Sequence, residues 1–235
     1  MGQRALAVVH GVIPDEQKTI LGSLLPAMEN RGFTVEIVGV DDLDSVDLAG
    51  LAFICVTGSP DSVYDEKLDW VAPERQFLQQ ADAASVPILG VCFGGQILAS
   101  ALGGSVSPSP RPEHGFTEID TTRPELVSAG PWMEFHHDTI TPPDNAEVIA
   151  RTEHNVQAFT VRRHLGLQFH PEITPECFDA WRIGFTTRKR PIGESGVDIA
   201  AVAADIRRRA AAAAADADEL LGRFLIHAGV TAPVA

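Results

Sequence analysis

The stretch "ILGVCFGGQILASALGG", residues 88–104, joins a short apolar run to a run with helical spacing, and a cysteine stands where the two meet. Gly90, Cys92 and Gly94 reproduce the G-x-nucleophile-x-G pattern of a strand-to-helix elbow, in which a sharp turn raises a nucleophile above the end of a sheet. The stretch therefore predicts a buried strand, a strained turn and a helix, which is a unit typical of parallel sheets.

The residues before this stretch alternate in the same way. Strand-like runs lie at 5–10, 33–40, 48–58 and 86–91, and helical spacing is present at 15–32, 70–85 and 93–104. Near-continuous apolar strands separated by helices indicate a parallel sheet that is covered on both faces. We expect its ligands to bind at the carboxyl ends of the strands.

The pattern changes after Gly103. Short runs broken by Pro, Gly and Asp continue to about Gly166 and predict antiparallel hairpins or edge strands. From Val197 onward, apolar residues at helical spacing predict one or two helices. The predicted fold is α/β: a doubly wound, mostly parallel sheet with helices on both faces, a small antiparallel β extension and C-terminal helices. We expect one domain over 1–235, with its core at 4–175 and a helical extension at 176–235.

Charge and cysteine content narrow the possible partners and the compartment. The 235 residues include 18 Lys and Arg against 32 Asp and Glu, a formal net charge of -14. Such a surface repels nucleic acid and anionic lipid, so we expect neither as a partner. Three unclustered cysteines suit a reducing compartment, and with no signal-peptide pattern or spanning segment they predict the cytoplasm.

Cys92 differs from the other two cysteines by its setting. Cys55 and Cys177 lie in an apolar run and in a helical pattern, where a cysteine is usually a small buried residue. Cys92 stands at the predicted start of a helix, where unpaired N–H groups and the helix dipole favour a thiolate, which is the nucleophilic form. The elbow pattern by itself favours catalysis only slightly over packing.

The stretch "GLQFHPEIT", residues 166–174, supplies a base and its partner. Pro171 favours an extended conformation for His170, and side chains two apart in an extended segment point to the same side. His170 and Glu172 can therefore make contact, which is the arrangement of a catalytic base and its orienting carboxylate. With Cys92 they form a predicted catalytic triad.

Acyl transfer also requires donors for an oxyanion, and backbone N–H groups usually provide them. The residue after the nucleophile is one such donor, which here is Phe93. The turn "VTGSPDSVYD", residues 56–65, follows another predicted strand, and we expect the N–H of Ser59 to be the second donor.

These residues resemble a known family. "GVCFGGQ", "LQFHPE" and the "TGSP" turn are similar to the class I (triad) glutamine amidotransferases, above all to the glutaminase domain of GMP synthetase and its stand-alone homologues. The resemblance spans roughly Ala5 to Pro175. It implies that Cys92 attacks the side-chain amide of glutamine, that His170 moves the proton and that Glu172 orients the imidazole, so that ammonia and then glutamate are released.

The resemblance also implies further contacts and partners. It places Gly58, Gln96, Phe135 and His136 at the substrate, with no cofactor and no metal. Two departures are visible: the oxyanion turn has Ser59 where family members usually have glycine, and "WMEFHHD" is one residue longer before its histidine than the family pattern. No "SGGxDS" phosphate loop follows Glu172, so we expect a synthetase on another chain to accept the ammonia. The oligomeric state is left open.

Other functions remain open at this point. A γ-glutamyl hydrolase or transferase acting on a larger amide would need a wider pocket near residues 104–116. A non-catalytic glutamine sensor is a further alternative, although a complete triad argues against it. A metal site of His136, His137, Asp138 and His170 ranks low, because adjacent histidines on a strand face opposite sides. The basic segment 186–195 is either a solvated loop or a docking site for a synthetase.

Overall fold

The described part of the chain forms one sheet of eight strands and a separate sheet of two. The structure is a computed structural model that describes residues 2–10, 17–187 and 196–233. The strands are β1 (Arg4–Val9), β2 (Thr34–Gly39), β3 (Leu51–Val56), β4 (Ile88–Val91), β5 (Ser105–Thr117), β6 (Asp120–Thr121), β7 (Trp132–Thr141), β8 (Glu147–Arg151), β9 (Val156–Val161) and β10 (His164–Leu167). The helices are α1 (Gln17–Ile20), α2 (Leu24–Asn30), α3 (Val71–Ala83), α4 (Phe93–Ala101), α5 (Pro175–Thr187) and α6 (Ile199–His227), and a 3-10 helix spans Val40–Ser45.

The strand order confirms the mostly parallel sheet. Strands β2, β1, β3, β4 and β10 are parallel neighbours, and β9, β8 and β6 extend the sheet from β10 as antiparallel strands. Successive residues of β3 pack on opposite faces of the sheet. Phe53 packs with residues of α2 and α6, and Ile54 packs with residues of α3 and α4. Helices therefore cover both faces, as the continuous apolar strands predict.

The predicted antiparallel extension is also present. Strands β5 and β7 form a separate two-stranded sheet, whose register runs from Ser105 opposite Thr141 to Thr117 opposite Trp132. The register shifts between Pro108 and Glu113. Proline has no N–H for the ladder, so a run with prolines at 108, 110 and 112 suits the edge of a small sheet.

The prediction of one helix over 15–32 is wrong for the part that the structure describes. Helices α1 and α2 are separated by a turn in which Gly22 has a φ of +48°. A Cβ at this position would lie 1.9 Å from the carbonyl oxygen of Glu172, so only glycine allows the two backbones to approach this closely. A tertiary contact thus overrides the continuous helical pattern. The closing glycine, Gly32, has the positive φ expected of a helix end.

The C-terminal tail is one long helix, α6, where one or two were expected. Asp198 caps its first turn by accepting a hydrogen bond from the N–H of Ala201 at 3.0 Å. Its apolar residues Leu220 and Phe224 are buried in the core beside α2. Among the described residues, no helix combines the length and the apolar character needed to cross a bilayer. The single domain over 1–235 stays a prediction.

Candidate active site

The structure places Cys92 at the carboxyl end of β4, directly before α4, as the elbow pattern predicts. Its backbone has a φ of 53° and a ψ of -108°, a strained conformation for a residue with a side chain. A Cβ on Gly94 would lie 2.1 Å from the carbonyl oxygen of Val56, and one on Gly90 would lie 2.4 Å from that of Gly94. The two glycines therefore allow α4 to approach the sheet at the turn.

His170 and Glu172 are brought together on the loop that follows β10. Nδ1 of His170 lies 2.7 Å from Oε1 of Glu172, and both side chains are buried. The contact forms, but not along an extended strand as the spacing argument assumes, because Pro171 and Glu172 lie in a turn. The N–H of Ser23 donates to the carbonyl of Glu172 at 3.0 Å, and its hydroxyl donates to that of Pro171 at 3.2 Å. The start of α2 thus holds this turn in place.

Cys92 and His170 lie side by side at Gly58, where a Cβ would be 3.7 Å from Cβ of Cys92 and 3.0 Å from Cε1 of His170. Burial alone would lower the pKa of His170, but the charges of Cys92 and Glu172 and their hydrogen bonds outweigh it, so the pKa is raised well above its ordinary value. These interactions favour a protonated imidazole. The elbow cysteine, the imidazole and the carboxylate are therefore brought together.

The surroundings of the other two cysteines disfavour a thiolate. Burial, with the charge of Glu172 adding to it, raises the pKa of Cys55 to about 12. The same two causes, in the same order, raise the pKa of Cys177 well above its ordinary value. Both thiols therefore stay protonated and unreactive. This agrees with their interpretation as packing residues.

Two contacts fix the imidazole of His170 from its sides. The half-buried indole of Trp181, on α5, lies with its ring centroid 4.5 Å from that of the imidazole. A Cβ on Gly58 would lie 3.0 Å from Cε1 of His170, so the ring packs against a position without a side chain. Trp181 is not predictable from the sequence, because no short-range pattern joins it to His170.

A second residue that the sequence analysis missed is Gln168. Its buried amide nitrogen donates to Sγ of Cys92 at 3.7 Å, and its amide oxygen accepts from Nε2 of Gln96 at 3.3 Å. Gln168 therefore links the thiol to the residue expected to hold the substrate amide. It precedes His170 by two positions, so the spacing argument used for Glu172 could have placed it on the same side.

A cavity of about 70 Å³ opens beside the thiol. Its walls consist of residues 59–62, 92, 96 and 135–138, and they include five expected site residues: Ser59, Cys92, Gln96, Phe135 and His136. Of the other expected residues, Gly58 packs on His170 and Phe93 is buried behind the elbow. No wall residue comes from β5. A wider pocket near 104–116 is therefore not part of this cavity.

One wall of the cavity is held by hydrogen bonds to Asp138. Its carboxylate accepts from the hydroxyls of Ser62 and Tyr64, both at 2.7 Å. His136 has both ring nitrogens engaged as well: Nδ1 donates to the carbonyl of Asp138 at 2.8 Å, and Nε2 lies 3.2 Å from Glu113. The segment from His136 to Asp138 is thus a wall held by hydrogen bonds. Both ring nitrogens of His136 already have partners within the protein.

The four residues of the low-ranked metal site are not brought together. His170 is paired with Glu172, and His136 is buried whereas His137 is exposed. In the described part of the chain, ligand atoms within 4.8 Å of one another belong instead to Glu113, Glu134 and His136. Burial lowers the pKa of His136, but hydrogen bonds to the two carboxylates outweigh this and raise the pKa to about 10. An ion-paired imidazolium thus accounts for this cluster.

The basic segment predicted at 186–195 lies outside the described residues from residue 188 onward. Helix α5, which precedes it, reaches Thr187. The interpretation of this segment as a docking site stays a prediction.

Comparison with known proteins agrees with the resemblance. The family model "Glutamine amidotransferase class-I" matches residues 12–182. A protein of Aeropyrum pernix named GMP synthase [glutamine-hydrolyzing] is 35% identical over 165 residues, which are 64% of this chain and 31% of that protein. A protein of Porphyromonas gingivalis with the same name is 41% identical over 137 residues, 54% of this chain and 26% of the relative. The chain thus spans less than a third of these relatives.

A solved structure shows the same fold over almost the whole chain. A glutamine amidotransferase of Thermotoga maritima superposes with a TM-score of 0.80 and 21% identity, and the match covers 96% of this chain and 99% of that one. At this identity the similarity concerns the fold. The arrangement of strands and helices described above is therefore found in a solved structure that it matches over nearly the whole of both chains.

Proposed function

This chain belongs to the class-I glutamine amidotransferase family, and from that premise we propose that it hydrolyses the side-chain amide of glutamine to glutamate and ammonia. The observation that carries the proposal is the convergence of Cys92, His170 and Glu172, three buried side chains from the elbow and the loop after β10. This convergence is what nucleophilic acyl transfer requires.

In the first half of the proposed reaction, Sγ of Cys92 attacks the amide carbon of the substrate. The carbonyl oxygen becomes an oxyanion, and the N–H groups of Ser59 and Phe93 donate hydrogen bonds to it. The C–N bond then breaks, and the proton that His170 took from the thiol passes to the leaving nitrogen. Ammonia departs and a thioester between Cys92 and the γ-carbonyl remains.

In the second half, water attacks the thioester carbon while His170 accepts one of its protons. The same two N–H groups stabilise the second oxyanion. When this intermediate collapses, the C–S bond breaks, the sulfur regains its proton from His170 and glutamate is released. Glu172 keeps Nδ1 of the imidazole fixed throughout, so that the other ring nitrogen faces the reacting atoms.

The size of the cavity supports free glutamine over a larger γ-glutamyl amide. About 70 Å³ lies beside the thiol, whereas pockets that enclose drug-sized ligands measure about 300–1,000 Å³. In the proposed reaction Gln96, which lines this cavity, binds the amide of the substrate. Its Nε2 donates to the amide oxygen of Gln168 at 3.3 Å. The wall at 135–138 supports the proposed contacts of Phe135 and His136 with the substrate.

We propose that a synthetase accepts the ammonia. The support is that the relatives which match this chain are named GMP synthase [glutamine-hydrolyzing]. The three cysteines are free and buried, which suits the proposed cytoplasmic setting.

The test measures glutamate and ammonia released from glutamine, together with labelling of Cys92 by the glutamine analogue 6-diazo-5-oxo-norleucine. Cys92→Ala should abolish both, and Cys55→Ala, which removes a buried thiol away from the cavity, should keep both. Labelling does not require an ammonia acceptor. An unlabelled wild-type chain that also releases no ammonia would contradict the proposal.

A panel of substrates separates the alternatives. Turnover of larger γ-glutamyl amides without turnover of glutamine would assign the site to a γ-glutamyl hydrolase or transferase. Saturable binding of glutamine without turnover or labelling would assign it to a sensor.

A further inference from the structure

A buried ionisable pair that the proposed reaction does not use lies next to the cavity. His10 follows β1 directly, and its Nε2 is 3.1 Å from both carboxylate oxygens of Glu74, a residue of α3. The side chains are 1% and 0% exposed. Glu74 therefore fixes the rotation of the imidazole by a two-point contact on one ring nitrogen.

The other ring nitrogen of His10 contacts the backbone of the oxyanion turn. Nδ1 lies 3.2 Å from the carbonyl oxygen of Gly58. A carbonyl oxygen can only accept, so Nδ1 carries a proton and donates it. This carbonyl belongs to the peptide unit that also contains the N–H of Ser59. Because a trans peptide is planar, its C=O and N–H point in opposite directions, and fixing one fixes the other.

The imidazole of His10 also contacts the side chain of Phe93, whose N–H is the other proposed donor to the oxyanion. The ring of Phe93 meets the ring of His10 edge to face, with centroids 4.8 Å apart. Trp70 closes the remaining side, with centroids 5.4 Å from His10 and 5.5 Å from Phe93. His10 thus contacts the peptide unit that carries the N–H of Ser59 and also the side chain of Phe93, the two residues proposed to donate to the oxyanion.

Stability alone gives a weak reason for this pair. Burying a histidine and a carboxylate has a desolvation cost that their attraction does not reliably exceed, and an apolar pair of similar volume is often at least as stable. The peptide that His10 holds, by contrast, follows a glycine, so without a partner it can rotate at little steric cost. The pair restricts one of the two backbone units whose N–H groups would bind the oxyanion.

We propose that His10 and Glu74 are positioning residues of the oxyanion hole. Glu74 orients the ring of His10, His10 holds the carbonyl of Gly58, and the N–H of Ser59 is thereby directed toward the tetrahedral intermediate. This role rests on the proposed function, because the N–H of Ser59 matters only when an oxyanion forms.

The chain offers a matched control. The buried His164 and the part-buried Asp82 form another contact between a histidine and a carboxylate, at 2.8 Å, where β10 begins. Nδ1 of His164 accepts from the N–H of Ile88 at 3.0 Å, so this histidine also joins side chain to backbone. It lies at the amino ends of the strands, away from Cys92. His164→Leu therefore measures the structural cost of losing such a pair.

The experiment compares kcat and KM for glutamine hydrolysis in folded variants. Losing one oxyanion donor lowers kcat by about 10²- to 10³-fold, and we expect His10→Leu to fall in the lower part of this range with KM changed less than about threefold. His10→Asn keeps a donor at the position of Nδ1 and should recover most of the loss. Glu74→Gln should lie between the two, and His164→Leu should keep kcat near wild type.

A second readout does not depend on turnover. The ¹⁵N amide resonance of Ser59 should shift strongly in His10→Leu, return toward wild type in His10→Asn and stay unchanged in His164→Leu. An unshifted Ser59 resonance, or a His10→Leu variant with wild-type kcat, would overturn the proposal. A wild-type chain that neither turns over glutamine nor is labelled at Cys92 would instead contradict the proposed function, while the resonance would still show whether His10 holds the peptide.

Discussion

Two buried histidines mark opposite ends of β10, and each faces a carboxylate at almost the same distance. His170, past the carboxyl end, lies 2.7 Å from Glu172, and His164, at the amino end, lies 2.8 Å from Asp82. Their pKa values nevertheless move in opposite directions. The pKa of His170 is raised well above the ordinary value, and that of His164 is lowered.

The charged groups near each ring other than its carboxylate explain why the two pKa values move in opposite directions. Burial lowers both pKa values, but His170 also faces the thiol of Cys92, whose negative form attracts a proton to the imidazole. His164 faces the cations Arg162 and Arg163, which repel a second proton. A histidine paired with a carboxylate is therefore not by itself a sign of catalysis. What it can do depends on the group at its other nitrogen and on the charges nearby.

The largest expected effect compares the two carboxylates. Glu172→Gln should lower kcat for glutamine hydrolysis by about 10³- to 10⁴-fold, because it removes the charge that stabilises the imidazolium and favours the wrong tautomer. Asp82→Asn makes the same change at the other end of β10 and should leave kcat within about threefold of wild type, since His164 touches no reacting group. Steady-state kinetics on both variants measures this contrast.

Equal losses in the two variants would remove the distinction between the ends of the strand. Thermal unfolding of both proteins is the necessary control, because each carboxylate also pairs with a buried histidine. An effect of Glu172→Gln that followed only its change in Tm would make Glu172 structural.

The second prediction extends the comparison to the thiols. Iodoacetamide should modify Cys92 at least about 10²-fold faster than Cys55 or Cys177, because the thiolate is the reactive form and burial raises the pKa of both other thiols. Mass spectrometry of peptides after timed alkylation gives the three rates. His170→Gln should slow the reaction of Cys92 alone. Similar rates at all three positions would contradict the electrostatics described for the elbow.

The third prediction concerns pH. A raised pKa means that His170 stays protonated above the pH at which an ordinary histidine is neutral, and a lowered pKa means that His164 is already neutral below it. Cys92→Ala removes the charge that raises the pKa of His170, so that pKa should fall by at least about one unit. NMR titration of the histidine ring carbons measures both residues in one sample.

His164 is the internal control in that titration, since its surroundings do not change in Cys92→Ala. A value for His170 that stayed the same after loss of the thiol would show that Glu172 alone sets it. The thiol of Cys92 would then not explain the raised pKa of His170.

Local patterns made part of this site predictable from the sequence. The elbow pattern lies within five residues, and His170 and Glu172 are two positions apart. Short-range geometry is therefore enough to predict both features. The α/β class follows from apolar strands that alternate with helices. Family membership is shown by the matching family model, whereas the roles of the individual site residues stay predictions.

The remaining parts depend on contacts between distant segments. His10 meets Gly58 across 48 positions and Glu74 across 64, and Gln168 meets Cys92 across 76. Nothing in the sequence near His10 indicates its partners. The spacing between Gln168 and His170 suggests a shared side, but it does not indicate the contact with Cys92. The break between α1 and α2 has the same origin, because it follows from the approach of another backbone to Gly22 and not from a local helix-ending pattern.

The smallest expected effect tests whether the loop after β10 is held from outside. The hydroxyl of Ser23 donates to the carbonyl of Pro171, next to the carboxylate that orients His170. Ser23→Ala should destabilise the fold by about 1 kcal/mol, because it leaves a buried acceptor without its donor, and should lower kcat by less than about tenfold, since the N–H of Ser23 still donates to Glu172. Ser45→Ala removes a similar hydroxyl contact at an exposed site and should change neither quantity. If Ser23→Ala lost stability but kept the pH profile and kcat of wild type, the turn would hold its shape without α2, and the contrast between the two ends of β10 would lie in charge alone.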